Sequence, residues 1–156
     1  MITPPLLADF ARPLLVLHAL LAVVTLGSSM HLGVVGALVL LRRRAPVRIL
    51  RLHARIAPVA YAATFALGLV IYPAFRVLVR GIFLDRYEPW ASNAFDMKEA
   101  LVLVGLPVAA AILLAGRAVD DEDARPFVAA LGIALACVVL AAAVLGLVVT
   151  SVKGPA

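Results

Sequence analysis

Four long apolar stretches alternate along the chain with short polar connections. Residues 13–41, 56–75, 100–115 and 127–149 are nearly unbroken runs of Leu, Val, Ala, Ile, Gly and Phe. A bilayer core about 30 Å thick takes about 20 apolar residues per helix, and backbone polar groups in lipid must be satisfied inside the segment that crosses. The pattern therefore predicts an all-α integral membrane protein, a four-helix bundle of antiparallel up-down spans. The spans fall at roughly 13–41, 56–80, 94–115 and 126–150, within a single transmembrane domain over 1–156.

The block lengths carry a further expectation. The first block would be about 43 Å long as a helix, so it must tilt or protrude. The third would be only about 24 Å long and must draw in Asp96, Lys98 and Glu99 to cross. Arg76 closes the second block at the same level, and carboxylates at the membrane edge are costly unless paired. Arg76 or Arg80 is therefore expected to meet Asp96 or Glu99, either as an electrostatic clasp between two helices or as a polar site.

Small residues recur at helical spacing. Ser29, Gly33 and Ala37 in the first helix, and Gly132 with Ala136 and Ala142 with Gly146 in the fourth, match the pattern that lets backbones approach closely in lipid. The first and fourth helices are thus expected to form the tightest contact. Pro107 is expected to kink the third helix near Gly105.

Composition agrees with this picture: 65% of residues are hydrophobic and 15% charged, and the mean hydropathy is +1.10. The net charge of +5 does not point to nucleic acid, because the basic residues flank the spans. Arg42, Arg43, Arg44, Arg48, Arg51 and Arg55 crowd the first connection, which the positive-inside rule assigns to the cytoplasm with both termini outside. Arg117 and Arg125 join that side, against Arg12, Arg76, Arg80, Arg86, Lys98 and Lys153 on the other. No basic region precedes the first block, so that helix is expected to be retained rather than cleaved. The lone Cys137 excludes an intrachain disulfide and reads as apolar filler. Asp120, Asp121, Glu122 and Asp123 before Pro126 mark a helix start, and Tyr87 and Trp90 suit the headgroup level.

Candidate chemistry gathers in the outer layer. His18 lies there with Tyr72, Arg76, Lys98 and Glu99, which makes His18, Lys98 and Glu99 the candidates for catalysis or proton transfer. Haem b is the cofactor to weigh, with His18 or His31 on the iron and Arg76, Arg80 and Lys98 on propionates. His18 and His31 are thirteen residues apart, a rotation of about 220°, so they point to nearly opposite sides of the helix. A bis-histidine dihaem arrangement would lack a fourth histidine. His31 could meet His53 only if the first helix protrudes by about ten residues, and a haem held by that pair ranks below one using His18.

The stretch LLVLHALLAVVTLGSSMHLG, with His18 and Gly27, resembles the first helix of small bacterial membrane families, among them the CopD-like copper-resistance proteins and the HemJ-type protoporphyrinogen oxidases. Arg51, Leu52, Pro58 and Gly68 are similar to the HemJ-type second helix, and Trp90 and Lys98 to the third, although the family has that last pair closer together. The block YPAFRVLVR with WASNAFDMKE resembles uncharacterised bacterial membrane proteins. These resemblances imply a multi-pass protein of the bacterial inner membrane. Three functions are open: a structural or assembly subunit of a membrane complex or homo-oligomer, a haem- or porphyrin-associated redox protein, and a small proton-coupled transporter.

Overall fold

In a computed structural model the described residues are 10–43 and 45–152, without the side chain of Ala11. Arg44 and Lys153, both counted above in the charge balance, lie outside them. The chain is an all-α four-helix bundle. Helix α1 spans Ala11–Leu40, α2 Val47–Phe75, α3 a single turn at Asp85–Tyr87, α4 Pro89–Ala115 and α5 Arg125–Val152. A π-helical stretch, Arg76–Leu84, joins α2 to α3. Four of these segments are long and apolar enough to cross a membrane, with α2, the π stretch and α3 forming one of them.

Both middle spans are longer than their apolar blocks. Helix α2 begins at Val47, well before the apolar run, because arginines that protrude from the bilayer still favour helix. Helix α4 begins at Pro89, with proline in its first turn where no backbone N–H is needed. It continues helically through Pro107.

Around the bundle α1 neighbours α2 and α5, and α4 neighbours the same two, which leaves α1 and α4 on a diagonal. The most extensive contact is between α1 and α5. Its cause is the absence of side chains. A Cβ on Gly33 would stand 2.7 Å from the Ala136 methyl, one on Gly36 2.6 Å from the Ala129 carbonyl oxygen, and one on Gly132 2.8 Å from Leu32 Cγ. Ser29 is buried in the same seam and Ala37 is half-buried at its end. Ala142 is buried on α5, whereas Gly146 faces the Lys98 side chain of α4 instead of α1.

Two apolar clusters fill the interior. The larger contains Leu32, Leu50, Tyr61, Ile112, Leu135 and Val139. The smaller lies at the other end, where Val79, Leu84, Ala91, Phe95 and Val149 pack with Tyr72 and Phe75. Phe75 and Phe95 stack there with centroids 4.6 Å apart, a geometry that adds to burial alone.

Candidate functional site

At the end where α2 turns back into α4, one guanidinium organises the charges. Arg80, on the π stretch, makes a two-pronged contact with Asp96, Nη1 to Oδ1 at 2.6 Å and Nη2 to Oδ2 at 2.9 Å. Its Nε is 3.5 Å from Asp85, and its Nη1 is 3.9 Å from Glu99. Asp85 also accepts a hydrogen bond from the Ser92 hydroxyl, which ties α3 to the first turn of α4. Trp90 Nε1 donates to Glu88 at 2.6 Å across the intervening turn.

The wide π turn has a local basis. Pro73 lacks the N–H that would extend the α-helical ladder, and Gly81 fits where a Cβ would come 3.3 Å from the Arg76 carbonyl oxygen. Such stretches often occur at functional sites. Here it carries Arg80 onto the three acids of the α3–α4 side. Arg76, at its start, is exposed and lies over the Tyr72 ring at 5.8 Å.

Between the two apolar clusters runs a polar layer. The hydroxyls of Thr25 and Thr64 are 2.8 Å apart across α1 and α2. Thr64 spends its hydrogen on the Ala60 carbonyl at 2.9 Å, so Thr25 is the donor between them. Tyr61 donates to the Val102 carbonyl at 2.7 Å, and Gly105 leaves the room for that phenol. His18 rests on α2, with Cε1 3.3 Å and Nδ1 3.8 Å from where a Gly68 Cβ would be. Its Nδ1 is buried with no hydrogen-bond partner among the described residues, as is the Ser29 hydroxyl. On α4 the Lys98 side chain lies against Gly146, with its Nζ 5.6 Å from the Phe95 centroid.

Of the residues chosen from sequence, the structure therefore gathers Arg80, Asp96 and Glu99 in one cluster, while His18 packs on Gly68 of α2 and Lys98 on Gly146 of α5. Arg76 does not join the cluster. No family model, curated protein or solved structure matches the chain.

Haem can be tested against these groups. The Nδ1 of His18 is covered by α2 at Gly68, which leaves no room for a porphyrin on that nitrogen. Arg80 is already committed to carboxylates. No chemistry is routed through the group.

At the opposite end two histidines meet, as the sequence allowed only if the first helix protrudes. His31 and His53 are stacked, ring centroids 5.2 Å apart and planes 16° apart. Although the Cα positions of His18 and His31 differ by a large rotation about α1, both rings reach α2. Helix α1 runs nine residues past His31 before it ends at Leu40, which brings the imidazole level with His53. The helix length was the available signal. Nearby, Arg51 pairs with Asp120 of the α4–α5 connection. Within that connection Arg125 donates to the carbonyls of Val119 and Asp120, at 3.1 and 2.9 Å, and so closes the acidic turn before α5.

Proposed function

We propose that the chain is a structural or assembly subunit of a membrane complex. The observation that carries this reading is the Arg80 cluster, whose charges are spent on one another: a forked contact to Asp96, with Asp85 and Glu99 alongside, holds the π stretch to α3 and α4. A guanidinium so engaged is a fastener rather than a reactive group. Support also comes from the outward face of α5, where Ala130, Ala134 and Cys137 are exposed. Small side chains at that spacing suit another helix better than they suit lipid. A photocrosslinking residue in place of Ala134, activated in native membranes, tests the reading. Adducts to a second protein or a second copy are expected, and adducts to lipid alone would contradict it.

A second reading, a proton-handling site of His18, Lys98 and Glu99, is favoured by the buried Nδ1 of His18, which makes no hydrogen bond of ordinary length among the described residues. It requires that His18→Ala abolish proton movement in reconstituted vesicles while the bundle stays folded. The absorption spectrum of the protein purified in mild detergent tests the haem alternative directly, and no Soret band is expected.

A further inference from the structure

We propose that the arginine-rich end of the bundle binds the headgroups of anionic phospholipids. Seven arginines of the described residues stand at this end against the four acids of residues 120–123, a surplus of three positive charges. Two of those arginines are engaged within the protein, Arg51 by Asp120 and Arg125 by Glu122 and the carbonyls of its own connection. Arg42, Arg43, Arg48, Arg55 and Arg117 are exposed and make no ion pair among the described residues. The fold brings them together from three elements. A Cβ on Gly116 would stand 3.1 Å from the Ala54 methyl, so the start of the α4–α5 connection packs on α2 and sets Arg117 at the level of Arg55. Arg42 and Arg43 follow directly on α1, just before α2 begins at Val47.

The place of these guanidiniums favours a lipid over a soluble anion. Arg48, Leu52, Arg55 and Val59 are spaced by four, three and four residues and form one stripe along α2. The stripe lies on the side away from the bundle, since Leu50, Ala54, Ala57 and Tyr61 supply the buried face. Leu52 is 52% and Val59 58% exposed, and apolar side chains on the outside of a spanning helix face acyl chains. Arg55 therefore sits in a lipid-facing surface between them, and its apolar stem lets the guanidinium reach the headgroup level. The same succession recurs on the other elements: exposed Leu40 and Leu41 lead into Arg42, and exposed Leu113 and Leu114 precede Arg117. Guanidinium matches phosphate oxygens in a forked geometry, and headgroup phosphates are the anions found at this depth. Each arginine near an anionic membrane surface contributes about fivefold in affinity.

Native mass spectrometry of the full chain, released from detergent micelles that hold equal amounts of phosphatidylglycerol and phosphatidylcholine, tests the site. Both lipids carry a phosphate, and only the first has a net negative charge. Phosphatidylglycerol should be retained over phosphatidylcholine at least about fivefold, and an excess of glycerol phosphate, the free headgroup, should not displace it. Arg48→Gln with Arg55→Gln should bring the preference to within about twofold of parity. Arg76→Gln with Arg86→Gln, exposed arginines at the other end, should leave it unchanged. Should the first pair elute as aggregate, Arg42→Gln with Arg43→Gln, beyond the end of α1, is expected to cut the preference at least about threefold. Equal retention of the two lipids by the unaltered chain, displacement by glycerol phosphate, a preference that survives the loss of Arg48 and Arg55, or an equal loss caused by Arg76→Gln with Arg86→Gln would each overturn the proposal.

Discussion

The two ends of the bundle handle polar groups in opposite ways. Where α2 turns into α4, Asp85, Asp96 and Glu99 all face the guanidinium of Arg80. At the end of the arginine-rich loop, two imidazoles lie together with neither Nε2 engaged among the described residues. The first arrangement follows from cost, since acids drawn to the membrane edge by a short apolar block need a cation. The second follows from slack, because α1 continues past its neighbour's apolar run and places His31 where no charge must be compensated. Intramembrane polar residues therefore do not share one meaning in this chain. Those that are paired hold helices together, whereas the two stacked imidazoles each bond only to their own helix.

The largest loss of stability is expected away from both ends, in the α1–α5 seam, and provides the scale for the rest. Gly36→Leu must push a side chain into the Ala129 backbone, which cannot move aside. Overpacking costs about 1–3 kcal/mol, expected here at the upper end and read as a fall in unfolding midpoint in detergent, and an unchanged midpoint would dissolve the seam. Next comes Arg80→Gln, which strands Asp96 with Asp85 and Glu99 close by. Loss of charge-assisted hydrogen bonds costs about 2–3 kcal/mol, discounted from the fully buried case because half of the Asp96 side chain is exposed. A loss well below 1 kcal/mol would put the clasp end on the same footing as the open end.

Smaller effects sharpen the contrast. Tyr61→Phe removes the hydrogen bond to Val102 from the middle of the bundle and should cost about 1 kcal/mol. Arg76→Gln should cost less than about 1 kcal/mol, because an exposed cation over the Tyr72 ring is all that is lost. If Arg76→Gln destabilises as much as Arg80→Gln, the assignment of the clasp to one arginine fails.

Much of this architecture could be read from residues alone, since four apolar blocks of membrane-spanning length permit little besides four helices. The meeting of an arginine with Asp96 followed from length, because α4 had to include its charged start. Which arginine was not legible: Arg76 and Arg80 share an α-helical face, and the π stretch that selects Arg80 depends on the whole turn rather than on a motif. Gly36 escaped notice because it breaks the four-residue spacing of Ser29, Gly33 and Ala37, although it lies three residues from Gly33 on a neighbouring face. The His31 and His53 pair depended on how far α1 extends beyond the bilayer, which apolar length leaves open. Gly146 matched a seam pattern and instead faces the Lys98 side chain of α4 at a distance where a Cβ would make only ordinary contact.

The claim that one arginine fastens the α2–α4 turn is tested most directly by a double-mutant cycle. Stability in detergent would be measured for Arg80→Gln, Asp96→Asn and the two together, with Arg76→Gln and Asp96→Asn as the parallel cycle. Residues in direct contact couple by about 0.5–3 kcal/mol, while independent sites add within about 0.3–0.5 kcal/mol. The account expects coupling of about 1–3 kcal/mol for Arg80 with Asp96 and additivity for Arg76 with Asp96. Additive losses in the Arg80 cycle, or equal coupling in both, would contradict it.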